Sequence, residues 1–581
     1  MTMKLKSLFI TTLVLLPLIS CTKKNLDTGV KTLRVPLSDD VKTLDPARAY
    51  DSISLSVMPL MNESLYQYNY HKRPFTLEPL LAESLPEISK NGLEYIIKIK
   101  KGVLFHSNEA FKGPRELKAQ DFIYAWKRIG IPEVTSPGTW IFDGKVKGYN
   151  LFMKGLSKES DTVALKQSVE GFEVIDDYTL KIVLEKPFPQ LVHILAMGFT
   201  APVAQEVIEK HGHHHLITNA VGTGPYVLDQ FIQGSKLILK KNMNYRKELY
   251  PQIPEGVKEP AMAKLEGKTL PLVDVVEFHI FKESQPAWLN FMAGKTDVSG
   301  IPKDNFSQVM TSSMGLTDDL KKKGISLHSY TPALMFWLEF NMKDPHVGGA
   351  KNKFLRTAVS HAIDFKVFNE KFLNHLGVHT SGVLTPGLEG FRNDTSKIPE
   401  FSIEKAKKLL ADAGHPDGKG LPEIIYDVRG SGTSSRQMAE FFKVSLKKVG
   451  IKIKIVPNSF PGFLEKARNG EIQFSIGGWQ GDYPDPQNFL FLLSKVSLPP
   501  GPNSAQYENE QYEKLFSEIE FMEPGERRVQ LIHKAEDLVL ADHPRAMSYY
   551  LKRLALYHKH VVGYRPNGLI NNVYKYVDIQ R

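Results

Sequence analysis

Apolar and polar side chains alternate with a period of two in several short stretches, the pattern of half-buried strands. LEYIIKIKKGVLF (93–105) alternates on both sides of a Lys-Lys-Gly break and predicts a hairpin. DYTLKIVLEKP (177–187) repeats the pattern and stops at Pro187, and VDVVEFHIF (273–281) predicts a further strand. Elsewhere the period becomes helical. FLRTAVSHAIDFKVFNEKFL (354–373) carries apolar residues at helix spacing. SIEKAKKLLADAG (402–414) opens on a serine N-cap, has Glu404 in its first turn and closes on Gly414. IIYDV (424–428), a helix over 436–449 and IKIKIVP (451–457) form a β-α-β unit, so the two strands are predicted to be parallel. The fold class is therefore α/β with several sheets. Pro- and Gly-rich stretches at 247–272, 298–304 and 496–503 mark boundaries. The strand-rich MSYYLKRLALYHKHVVGYRP (547–566) is predicted to return to an early sheet, which makes at least one domain discontinuous.

The N-terminus breaks this pattern. Lys4 and Lys6 precede an apolar run, LFITTLVLLPLIS (8–20), too short for a helix to span a bilayer core and suited to a signal peptide. It ends at Cys21, the only cysteine, in a context that resembles the bacterial lipobox, where the cysteine is lipidated and becomes the first residue. No disulfide is then possible in the mature chain, and the fold rests on core packing. The 581 residues suffice for two to four domains, and 42% apolar with 24% charged residues is the mix of a folded soluble protein. Losing residues 1–20 lowers the formal net charge from +10 to +8. The Lys and Arg residues are spread along the chain, which argues against a nucleic-acid binder.

Catalytic and metal signatures are weak. There is no HExxH, and GHPDGKG (414–420) lacks Walker spacing. Gly430-Ser431-Gly432 reads as a turn before a helix, not a nucleophile elbow. HGHHH (211–215) has no Cys, Asp or Glu at ligand spacing and reads as exposed loop histidines. VGTGPY (221–226) reads as a tight turn, since Pro225 blocks a phosphate loop. No enzyme activity, metal or cofactor is expected.

The order of these segments resembles the extracytoplasmic solute-binding proteins of peptide ABC importers. TLDPARAYD (43–51), MNESLYQYN (61–69), GVLFHSNEAFKGPRELKAQDFIYAWKRI (102–129), VGTGPYVL (221–228), KLILKKNMNYRK (236–247), FMAGKTDVSGIP (291–302), LEFNMKDP (338–345) and the closing SYYLKRLALYHKHVVGY (548–564) each match a family block. The resemblance implies a two-lobed periplasmic binding protein of type II, cluster C, with a third domain and a hinged cleft. A signal peptide (1–20) and lipidated tether (21–31) would precede a discontinuous first lobe (32–66, 190–300 and 546–581). An extra domain (67–189) would pack on that lobe, and a second lobe would occupy 301–545. The site would be GGWQGDYPDPQNFL (477–490), the family's W-x-x-D-Y block. By carry-over, Ile476, Gly477 and Gly478 are main-chain partners of a bound peptide, with the glycines admitting its backbone. Trp479 is a wall, and Asp482 anchors the α-ammonium. Trp140 is a candidate wall from the opposite lobe, and Asp485 is expected to cap the next helix. Some oligopeptide binders carry a basic residue where this chain has Ile476, so a carboxylate partner at that point is missing. The implied partners are an oligopeptide and an ABC permease, with the protein acting as a monomer held at a membrane face by its lipid. The alternative within the same fold is a non-peptide solute (nickel, haem, a sugar or an antibiotic). A secreted hydrolase or an adhesin is the rival from another class.

Overall fold

The computed structural model describes residues 29–156, 165–257, 259–430 and 432–580. The leader 1–20, Cys21 and Ser431 lie outside the described residues. A four-stranded sheet of order β1–β10–β9–β8 forms the base of the first lobe: β1 (Thr32–Leu37), β8 (Tyr226–Ile232), β9 (Lys236–Lys241) and β10 (Val275–Ile280). Leu33, Val35 and Leu37 point from β1 into the core with Val276 and Phe278 of β10. Pro36 is tolerated because β1 is an edge strand. A second sheet, of order β4–β5–β7–β6, is built from β4 (Glu87–Ile88), β5 (Glu94–Lys98), β6 (Phe172–Asp176) and β7 (Thr179–Val183). The helix Ala119–Ile129 packs on it through Phe122 and Trp126. Two small pairs complete this half: β2 (Tyr66–Tyr68) with β3 (Leu77–Pro79), and β20 (Val561–Val562) with β21 (Asp578–Ile579).

The second lobe is a six-stranded sheet of order β14–β18–β13–β17–β15–β16. Its strands are β13 (Leu334–Phe340), β14 (Gly377–His379), β15 (Ile424–Val428), β16 (Ile453–Pro457), β17 (Phe474–Gln480) and β18 (Arg545–Leu551). The predicted β-α-β unit is present, with β15 and β16 parallel around the helix Thr433–Lys447. Phe340, Tyr426, Phe442 and Phe474 fill one side of the sheet, and Met335, Trp337, Phe489 and Tyr512 the other. A three-stranded sheet of order β11–β19–β12 joins the lobes: β11 (Val298–Ser299), β12 (Ile325–Tyr330) and β19 (Arg553–His558). The chain leaves it from β12 into β13 and re-enters it from β18 into β19. Both crossings are side by side, because β12 pairs with β19 and β13 with β18. Two adjacent strand crossings thus connect the lobes.

Several expectations are corrected. The 93–105 stretch holds one strand, not a hairpin: after β5 the chain turns at Gly102 (φ +74°), and the ladder partners of β5 are β4 and β7. The 354–373 helix is two helices, Lys353–Ala362 and Phe365–Leu373, because the Asp364 carboxylate accepts the amides of Lys366 and Val367 and starts a new one. The C-terminal segment does not join the β1 sheet. Residues 546–551, expected in the first lobe, lie in β18 between β14 and β13 of the second. Residues 325–330, expected in the second lobe, lie in the joining sheet. Only after β19 does the chain return, placing Val561, Tyr574 and Ile579 in the first lobe's core.

Candidate functional site

A cavity of about 580 Å³ lies where the lobes face each other. One side is made by Tyr50, Ser64, Gln67, Phe199 and Asn572, the other by Arg429, Phe460 and the run from Gly478 to Asp482. Strand β17 delivers that run. Along its whole length it pairs with β13. On its other edge it pairs with β15 only at Phe474 and Ser475. From Ile476 to Gln480 the second edge has no strand neighbour among the described residues.

Past β17 the chain turns, and Asn488 organises the turn. Its Oδ1 accepts the Asp482 amide at 2.9 Å and the Trp479 indole Nε1–H at 3.0 Å, while its Nδ2 donates to Asp482 Oδ2 at 3.1 Å. Tyr50, from the opposite lobe, donates its hydroxyl to the same Oδ2 at 3.1 Å. Oδ1 takes no hydrogen bond, and no Lys, Arg or His pairs with Asp482 among the described residues. Burial pushes this carboxyl up to about 6, and the bonds from Asn488 and Tyr50 oppose that rise only in part. The site thus holds a carboxylate that pays for desolvation without a resident cation.

Arg429 follows β15 directly and lines the same cavity. Its guanidinium stands 5.3 Å from the Phe460 ring centre and has no ion pair among the described residues. Burial draws it below its ordinary value, against the pull of Glu339. A desolvated cation and a desolvated carboxylate therefore face one enclosed space.

The candidate residues divide. Gly478, Trp479 and Asp482 line the cavity. Gly477 and Ile476 lie on β17 outside its lining, and Ile476 packs on the second lobe's core. The glycines answer first to their own sheet: a Cβ on Gly477 would stand 2.4 Å from the Trp337 indole, and one on Gly478 2.6 Å from the Phe336 ring. Cross-strand aromatics already lie over them. Trp140 does not line the cavity; it packs on the first half's core, on the second sheet's side, with its ring 6.4 Å from Phe491. Asp485 caps the following helix, accepting the Gln487 amide at 2.8 Å, and is also buried against Arg528 through two hydrogen bonds of 2.9 and 2.7 Å. Of the 211–215 histidines, His213 is buried and takes a hydrogen bond from Arg128 Nε at 3.0 Å, contrary to the expected exposed loop. Among the described residues no group of three or more His, Cys, Asp or Glu is placed to hold a metal ion, and no helix is long and apolar enough to cross a membrane.

Sequence reasoning missed Tyr50, Asn488 and Arg429. Arg429 had a usable signal: it ends a predicted parallel strand, where α/β sheets gather ligand groups. Tyr50 had none, since it meets Asp482 across 432 positions.

Residues 76–497 match the model of the bacterial extracellular solute-binding proteins, family 5 (middle region). The chain belongs to this family. Heme-binding protein A of Haemophilus influenzae is 25% identical over 87% of this chain and 84% of its own length. The dipeptide-binding protein of Escherichia coli K12 is 24% identical over 86% of each. Among solved structures, the periplasmic binding protein DppA of Helicobacter pylori in complex with the peptide STSA superposes with a TM-score of 0.75 at 23% identity, covering 95% of this chain and 98% of that one. The two-lobed family fold is therefore shared at low identity.

In this structure the lobes touch. Besides the Tyr50–Asp482 bond, Gln480 Nε2 donates to the Gly568 carbonyl at 2.9 Å. Tyr483, from the second lobe, is buried in the first half's core and stacks on His193, centroids 6.0 Å apart. The His193 Nδ1 is 2.9 Å from the Tyr68 hydroxyl. Burial lowers the His193 pKa, so a neutral ring is the favoured partner in this stack.

Proposed function

We propose that this chain is the extracytoplasmic peptide-capturing component of an ABC importer. It acts as a monomer, is held at a membrane face through lipid on Cys21, and passes its ligand to a permease without chemical conversion. The observation that carries the reading is Asp482, whose Oδ1 is open to the cavity at the end of a strand with a free edge. A peptide laid along Ile476–Gln480 adds a strand there, and main-chain hydrogen bonds hold any sequence. Its α-ammonium meets Asp482 in a charge-assisted bond, and its α-carboxylate meets Arg429. The dipeptide-binding relative supports this reading; the haem-binding relative keeps a non-peptide solute as the alternative. Bending at the two crossing strands closes the lobes and buries Tyr483, which gives a permease a shape to recognise.

Native mass spectrometry with alanine peptides of two to five residues, each also offered N-acetylated, tests it. The free peptides should bind and the acetylated ones should lose at least tenfold in affinity. Equal binding of both forms, or of neither, would overturn the peptide reading.

A further inference from the structure

The charges around the cavity do not balance, and the sign of the excess bears on which peptides are taken. On the acidic side, Glu63 is already neutralised. It receives Arg246 at 2.5 and 3.0 Å, and behind it Glu248 pairs with Lys575 at 2.9 Å. Asp51 caps a short helix through the Ser54 amide at 2.9 Å and has no ion pair among the described residues. Asp482 is spoken for by the ligand's ammonium. On the basic side, Arg48 leans on Asp45 at 3.6 Å, but that one buried carboxylate already binds Arg128 in two hydrogen bonds, so the trio carries a surplus positive charge. Lys42 and Arg468 line the cavity, and their side chains have no ion pair or hydrogen bond among the described residues. Arg429 is taken by the ligand's carboxylate.

Once a dipolar peptide backbone has used Asp482 and Arg429, three positive charges remain against one negative. They are Lys42 and the Arg48 trio on the first lobe and Arg468 on the second, against Asp51. The excess comes from both lobes; the Lys42 and Arg468 side chains are exposed at the cavity's rim, so solvent and salt screen them, and they act on an anionic group of the ligand that reaches that rim. Arg468 ends the helix Phe460–Arg468, whose Phe460 and Leu464 also line the cavity. An anionic group near Arg468 would thus have an apolar wall beside it.

We propose that the cleft selects short peptides carrying an acidic side chain, and that Lys42 and Arg468 set this preference. The inference rests on the peptide reading above and deepens it. Lysine-bearing peptides are disfavoured by the same charges, and raised salt weakens both effects.

Calorimetric titration with three series of alanine peptides of two to five residues tests it: all alanine, one alanine replaced by glutamate at each position, and one replaced by lysine. The best glutamate peptide should bind about three- to fivefold more tightly than its all-alanine parent and the lysine counterpart more weakly, and R468Q or K42Q should remove most of the glutamate advantage measured against all-alanine binding by the same variant. If all-alanine peptides bind and the glutamate series stays within twofold of them, or if both variants keep the full advantage, the selectivity is overturned and the peptide reading stands. If no series binds, both fall together.

Discussion

Replacing Asp482 with asparagine should stabilise the empty protein and weaken peptide capture in the same stroke. Burial moves this carboxyl from 3.8 to about 6. Between those two values the folded protein holds a proton that the unfolded chain has released. Stability therefore falls as pH rises through that window, and the full cost stands above pH 6. A shift of two units corresponds to about 3 kcal/mol. Asp482 is only half-buried and faces a cavity that admits water, so about 1–2 kcal/mol is the reasonable cost after screening. Asparagine is the same shape and can still accept from Tyr50 and Asn488, but it carries no charge. The unliganded variant should melt a few degrees higher at pH 7.5 and converge with the parent near pH 4. For the ligand the sign reverses. Losing a charge-assisted bond worth about 1.5–3 kcal/mol weakens binding by about 10- to 150-fold. The parent should also lose about tenfold in affinity per pH unit below 6, as Asp482 takes up its proton, whereas the variant should be flat over pH 5–7. Thermal melts without ligand and peptide titrations across pH 5–8 read both effects. Identical melting profiles, together with affinities within threefold and parallel pH slopes, would refute the reasoning.

Arg429→Gln should cost tenfold or more for peptides with a free carboxylate and little for their C-terminal amides, as read by competition between the two forms. Gly478→Ala places a methyl 2.6 Å from the Phe336 ring and 3.2 Å from an Arg429 terminal nitrogen. It should lower stability by about 1–3 kcal/mol in denaturant titration, and a smaller residue at 336 should restore part of the loss. Tyr483→Ala removes a buried aromatic that fills the far half of the molecule only when the lobes meet, a loss of about 3–5 kcal/mol for a fully buried ring. The closed form bears that loss, so small-angle scattering should show a larger radius with peptide present, and peptide should leave faster.

Local patterning carried the second lobe well: strand, helix and strand over 424–457 announce themselves by period and length. It failed where one side chain redirects the chain. Asp364 sits on an unbroken helical stripe, and only its capping bonds reveal the break. It failed again at β18, since the apolar content of 545–551 marks a buried strand without naming its sheet. The site was legible in part because one contiguous loop, 479–488, supplies Trp479, Asp482 and Asn488. Trp140 illustrates the opposite case: an aromatic that looks like a ligand wall packs in the fold against Phe491. Gly477 and Gly478 are close-packed by Trp337 and Phe336 of their own sheet, although Gly478 also lines the cavity.

The place of β18 has a consequence for how the molecule is made. It occupies residues 545–551 of 581, yet it sits between β14 and β13, whose residues emerge much earlier. As the chain is synthesised, β13 and β14 have an open slot between them until residues 545–551 are in place. Removing β18 and the residues after it therefore strips a strand from the second lobe and Val561, Tyr574 and Ile579 from the first lobe's core, so both halves are incomplete at once.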